Sequence, residues 1–122
     1  MQVIDETAFV GDPGNRFVGQ FETDFASYIG TKHCIGCANG TDALLIPLRA
    51  WNIGPGDAVF VPSFTFAATG NSVALTGASP VFVDIDPETF NMDPARIEAA
   101  ITPQTTAIMP LHCYGRPCDV EA

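Results

Sequence analysis

Residues 58–85 read AVFVPSFTFAATGNSVALTGASPVFVDI. Ala58 to Pro62 is a short, continuously apolar run of strand length, and Pro80 to Ile85 is another. Between them, Phe66 to Gly77 reads as a helix that stops at its closing glycine. Neither strand alternates apolar with polar residues. That is the composition expected of parallel strands covered by helices on both faces. Working outward, HCIGCA (33–38) is a further short strand candidate, followed by a helix from Thr41 to about Asn52 that the turn GPGD (54–57) closes. On the other side Asp93 can cap a helix with Pro94 in its first position, PARIEAAI, and TTAIMPLHCYG (105–115) supplies a fourth strand. The expected fold is α/β: an open, mostly parallel sheet with helices on both faces, without internal repeats or linkers.

Composition limits what such a sheet could serve. The 122 residues amount to about one domain, and 47% apolar content is ample for a core. Fourteen acidic residues against five basic ones give a net charge of -9, which repels phosphodiester backbones and anionic membrane surfaces, so neither nucleic acid nor membrane is expected as a partner. No apolar run approaches the roughly 20 residues that span a bilayer, and the N-terminus has neither a basic start nor a long apolar stretch. A cytoplasmic protein with four reduced cysteines is the expectation.

In sheets of this class ligands sit beyond the C-terminal ends of the strands. Three such joints are visible: ANGTD, VPSFTFAAT and VDIDPETF. At the first, Gly40 lets the backbone approach a ligand, Thr41 offers a hydroxyl, and the positive end of the helix dipole lies behind, all features that suit a phosphate. Asn, Gly and Thr equally serve to turn a chain and cap a helix, and the residues alone leave both roles open. The third joint, with Asp84 and Asp86 after an apolar strand, is similar to the Asp-x-Asp nucleophile motif of haloacid-dehalogenase phosphatases, but Glu88 stands where that motif wants Thr or Val, and Pro87 marks a plain turn. His33, Cys34, Cys37, His112, Cys113 and Cys118 invite a zinc site. On a strand, however, residues three apart face opposite ways, so Cys34 and Cys37 would not share an ion, and no metal is expected.

The order of motifs carries more than any one of them. FETDFASYIGTKHCIGCANGTDAL followed by NIGPGDAVFVPSFTFAATGNSVALTGASPVFVDIDPETFNMDPARIEAAITPQTTAIMPLHCYGRPCD resembles the DegT/StrS family of sugar aminotransferases, pyridoxal-phosphate enzymes of the aspartate-aminotransferase (type I) fold, from about Ala8 onward. The resemblance implies pyridoxal phosphate as cofactor, its phosphate on Gly40 and Thr41 and its ring stacked on Phe66. It also implies transfer of an amino group, typically from L-glutamate, to a nucleotide-linked keto sugar by a homodimer. The family's Schiff-base lysine and the aspartate that pairs with the pyridine nitrogen lie downstream of the segment matching His112 to Gly115. The single lysine here, Lys32, precedes the 33–38 strand, at the end opposite Gly40, and is not expected to be catalytic. Residues 1–122 are accordingly expected to be one partial domain, the N-terminal portion of a cofactor-binding large domain, without catalytic residues of their own and inactive alone. A non-catalytic binding fragment is the alternative. Pro47, six residues into the first helix, has no account at this level.

Overall fold

The computed structural model describes residues 16–121. The part of the resemblance carried by residues 8–15 lies outside them. The chain divides into two compact units, Met1–Asn39 and Gly40–Ala122.

In the first unit, α1 spans Arg16–Ile29, a helix that the sequence reading does not include. Its signal is present nonetheless: Phe17, Phe21, Phe25 and Tyr28 recur every three or four residues, and the Phe21 and Phe25 rings stack with centroids 5.4 Å apart. Gly30 ends it in the left-handed region (φ 78), and the N–H groups of Gly30 and Thr31 both return to the Ala26 carbonyl. Residues 31–39 then form no strand, contrary to the expectation for 33–38. A strand exists only through its neighbour's hydrogen bonds. Here the Gly36 N–H instead donates to the Glu22 carboxylate at 2.6 Å, and the Thr31 hydroxyl to the His33 carbonyl, while Ile35 stays 79% exposed. Lys32 therefore does not stand at the edge of a strand, and strand alternation does not separate Cys34 from Cys37.

The second unit carries the sheet. Its elements are α2 (Gly40–Ala50), β1 (Ala58–Pro62), α3 (Ala68–Ala74), β2 (Ser79–Val83), α4 (Pro94–Ala100) and β3 (Thr105–Ile108). The strand order is β2-β1-β3 and both pairings are parallel. Ala58 to Pro62 pairs with Ser79 to Val83 without a slip, whereas β3 skips a residue after the Ala58–Thr105 pair. The skipped residue, Thr106, donates its hydroxyl to Asp57 Oδ1 at 2.7 Å. Asp57 also accepts the Gly54 N–H, and these two bonds, the backbone one foremost, hold its carboxyl below the usual carboxylate range.

Alternation along β1 divides the core in two. Val59 and Val61 pack with Leu48 of α2, Ile53, Val73 of α3 and Ala78. Phe60 packs on the opposite face with Val83, Met92 and, from α4, Ile97 and Ala100. Every residue of β1 is buried, as befits a central parallel strand. The expected sheet with helices on both faces is thus present.

Element ends differ from the sequence reading for local reasons. The 66–77 helix contracts to 68–74, closed where the Thr76 hydroxyl caps the Val73 carbonyl and Gly77 takes φ 86. β2 stops at Val83 because the chain folds back on itself through an antiparallel bridge between Ile85 and Met92. The fourth strand ends at Ile108, just before Pro110, which has no N–H for a ladder, and the chain then makes a 3-10 turn at Cys113–Gly115. Asp93 caps α4 as expected, accepting the Ala95 N–H at 2.9 Å with Pro94 in the first turn. Pro47 lies inside α2. The helical bond it cannot make would end on Ala43, an exposed position where water can serve that carbonyl instead. Among the described residues no helix is long and apolar enough to cross a membrane.

Candidate active site

All three strands run the same way, so the joints that leave them meet on one rim. At the exit of β1, the Ser63 N–H extends the ladder to the Val83 carbonyl at 2.8 Å, and the Thr65 and Thr69 hydroxyls bond at 2.7 Å. With the Thr69 N–H on the Phe66 carbonyl at 3.0 Å, these bonds anchor the chain before and after Phe66. Its ring is 80% exposed. It belongs to neither core cluster of this unit. At the exit of β3, the 3-10 turn presents Tyr114, 94% exposed and with φ 49. A bulky residue in the left-handed region is uncommon and is kept only where its surroundings over-determine it.

The two joints enclose a cleft of about 430 Å³ lined by Phe64, Thr65, Phe66, Leu111, Cys113 and Tyr114. It is mainly aromatic and apolar, with a threonine and the peptide groups of two turns at its margin, which suits a flat aromatic ligand better than an extended polar one. The β2 joint supports it from outside: Phe90 packs on Phe64, ring centroids 5.6 Å apart. Phe64, Phe90 and Tyr114 are absent from the site expected from sequence. The available signal was an aromatic residue at the exit of each of the three strands.

Gly40 and Thr41 open α2 and do not line this cleft. Leu48, late in α2, packs with Val59 and Val61, so α2 covers that face of β1. α2 enters β1 through a tight corner, where the Asp57 N–H bonds the Gly54 carbonyl and Gly54 N–H bonds the Asp57 carboxylate, so the helix runs back along the strand that follows. Eleven residues of helix and five of strand have nearly equal lengths, roughly 16 Å each. A Cβ built on Gly40 would meet nothing within 4 Å, so its peptide is open to approach.

The rival chemistries lack their geometry. Asp86 uses Oδ1 to accept the Glu88 N–H at 2.7 Å, capping its own turn, which is the plain-turn role and not that of a phosphatase acid. The four cysteines are free thiols, and among the described residues no three His, Cys, Asp or Glu side chains are grouped to hold a metal. Cys118 donates to the Leu111 carbonyl, and burial pushes its thiol pKa up. It is no activated nucleophile.

Relatives of known activity match the chain closely over part of their length. GDP-perosamine synthase of Caulobacter vibrioides is 54% identical over 116 residues, 95% of this chain and 31% of that protein. UDP-2-acetamido-2-deoxy-3-oxo-D-glucuronate aminotransferase of Pseudomonas aeruginosa is 54% identical over 105 residues, 86% of this chain and 29% of that one. The chain therefore spans about 30% of the length of these relatives. The crystal structure of NtdA from Bacillus subtilis with bound cofactor PMP superposes with a TM-score of 0.89 at 40% identity, over 98% of this chain and 27% of that one. The model of the DegT/DnrJ/EryC1/StrS aminotransferases matches residues 5–122, and the chain belongs to that family.

Proposed function

We propose that this chain supplies the cofactor-facing first part of the large domain of a pyridoxal-phosphate-dependent aminotransferase. The reaction proposed is transfer of an amino group from an amino acid, L-glutamate in the first instance, to the keto carbon of a nucleotide-linked sugar. The observation that carries this reading is Phe66: a large aromatic ring, 80% exposed on a backbone fixed by hydrogen bonds, at the rim where α/β sheets bind ligands. An exposed ring of that kind has a free face to stack on a planar heterocycle. The open approach to the Gly40 peptide, at the start of an eleven-residue helix, fits a phosphate group. The residues present therefore fit the cofactor.

Gly40 and Thr41 would hold the phosphate, by backbone N–H and by hydroxyl, and Phe66 would hold the ring. Pyridoxal phosphate, when bound, supplies the electron sink for amino transfer. The protein's part at this rim is to orient and to exclude water: Phe64 and Tyr114 wall the cleft, and Thr65 with Thr69 fixes its floor. No residue of this set moves a proton, so Gly40, Thr41 and Phe66 hold the cofactor and amino transfer needs a reacting lysine beyond this set. The chain alone would then be inactive. Exposed Phe82 and Ile108 on the outer strands β2 and β3 are surfaces for the remainder of the domain, and a second subunit completes the homodimer. Among relatives, the names of the perosamine synthase and the glucuronate aminotransferase support a nucleotide-sugar substrate, and the PMP-bound structure supports the cofactor.

The test is cofactor affinity in the full-length protein by fluorescence titration. Thr41→Val removes one hydroxyl bond and Gly40→Ala crowds the approach, and each is expected to weaken pyridoxal-phosphate binding about tenfold. Unchanged affinity in both variants would remove the phosphate assignment. Phe66→Ala is expected to weaken binding by about 1 kcal/mol with unchanged thermal stability. The reverse outcome, normal binding and a lower melting temperature, would make the ring a packing residue.

A further inference from the structure

Asn91 is one of three buried polar residues described in the sheet unit, 5% exposed, and it lies outside every site discussed above. Its side chain makes three hydrogen bonds to one distant segment: Nδ2 donates to the carbonyls of Arg116 (3.2 Å) and Pro117 (3.1 Å), and Oδ1 accepts the Cys113 N–H at 3.0 Å. Both donors of the amide and its oxygen are engaged. The partners bracket Tyr114 and Gly115, whose φ angles are 49 and 83. Three peptide groups that no strand pairs are thus satisfied by a single side chain reaching from the β2 joint to the β3 joint.

The carboxamide is itself held in place. The Asp86 N–H bonds the Asn91 carbonyl, the Phe90 N–H bonds the Asp86 carbonyl, and Phe90 adopts φ 60 immediately before Asn91. Arg116 Nη1 adds a bond to the Glu88 carbonyl at 3.1 Å, tying the same two joints a second time. Turn, carboxamide and receiving segment form one chain of polar contacts, which ends on two residues, Cys113 and Tyr114, that line the cleft.

We propose that Asn91 is a positioning residue for the cleft: its carboxamide locks Cys113–Pro117, and so holds Tyr114 in its left-handed conformation against the space facing Phe66. The functional half of this rests on the cofactor reading above, whereas the clamp itself does not. Without the carboxamide the Tyr114 backbone loses three of the bonds that keep it in a disfavoured region and relaxes, opening the wall.

Two measurements on the full-length protein test it, with Asn91→Ala and, should that variant not fold, the isosteric Asn91→Asp, which sets a carboxylate oxygen against two carbonyls. Amide hydrogen exchange is read at Cys113, with Val59 to Val61 of the central strand as the control for global opening. In Asn91→Ala the Cys113 amide is expected to exchange at least about tenfold faster with the β1 amides unchanged. In Asn91→Asp, which keeps the acceptor for that N–H, the Cys113 amide keeps more of its protection, while the Gly115 and Cys118 N–H groups, bonded to the carbonyl and Nδ1 of His112, lose theirs as the carboxylate repels the Arg116 and Pro117 carbonyls. Pyridoxal-phosphate affinity is then expected to fall about tenfold in either variant, and to fall no further when Tyr114→Gly is added, because the two changes act through one element. Unchanged Cys113 exchange in Asn91→Ala overturns the clamp. Faster exchange with unchanged affinity, or fully additive effects with Tyr114→Gly, overturns the positioning role. Failure of the unsubstituted protein to bind the cofactor would sink the cofactor reading, and the exchange result would still decide the clamp.

Discussion

Replacing Phe60 by alanine is expected to lower the unfolding free energy by about 3–5 kcal/mol, the largest loss expected of any single truncation in the sheet unit. Phe60 is 1% exposed and is the largest fully buried side chain described. It stands mid-way along the central strand and is the residue on which Val83 of β2, Met92 and the inner side of α4 converge. Truncation forfeits the transfer energy of the ring and leaves a cavity that strands on both sides prevent from collapsing. Set against the roughly 5–15 kcal/mol that separates a folded domain from its unfolded state, such a loss leaves little margin. A urea titration checks it: the midpoint should fall with the slope unchanged. Phe82→Ala, on a ring 61% exposed on an outer strand, is the internal comparison and should cost much less. Equal losses in the two variants would mean that the core is not divided as described.

Gly77→Ala is the second large effect, about 2–4 kcal/mol, and it arises from backbone rather than burial. Gly77 has φ 86, where an L side chain is strained by roughly 1–2 kcal/mol, and an added Cβ would lie 3.0 Å from Cγ and 3.2 Å from Cδ of Pro55. Pro55 cannot easily yield, since its ring is rigid and it sits in the 54–57 corner that Asp57 closes through the Gly54 N–H. Gly56 separates the two causes: its φ is 98 but a Cβ there would meet nothing within 4 Å. Gly56→Ala should therefore show the strain alone. Thermal denaturation of both variants checks the difference, and a Gly77→Ala loss no greater than that of Gly56→Ala would show that the contact with Pro55 is relieved at no cost.

Both effects fall on residues within elements legible in the sequence, Phe60 in an apolar run and Gly77 at the close of a helical one, although the Pro55 contact is not encoded locally. β1 was legible because five apolar residues between Asp57 and Ser63 have few other uses than a buried strand, and the structure returns the same limits, Ala58–Pro62. The cap at Asp93 was legible because Asp followed by Pro satisfies two local rules at once. Residues 33–38 were misleading because a six-residue apolar run records only that it could pair. Pairing is decided by a neighbour, and the Glu22 carboxylate takes the Gly36 N–H instead. α1 was missed although its phenylalanines keep helical spacing. Of the site, the Phe66 joint was legible as a strand exit, and the structure adds that its ring is exposed. Tyr114 and Asn91 could not be found in the same way. The first depends on a left-handed backbone and the second on bonds between residues 22 to 26 apart in sequence, and no local pattern encodes either.

The central claim is that Gly40, Thr41 and Phe66 form one cofactor site. A crystal structure of the full-length protein with pyridoxal phosphate tests it most directly. The account predicts the phosphate against the first turn of α2, on Gly40 and Thr41, and the ring stacked on Phe66. A cofactor held by other residues, with Phe66 turned to solvent and the start of α2 bare, would contradict it.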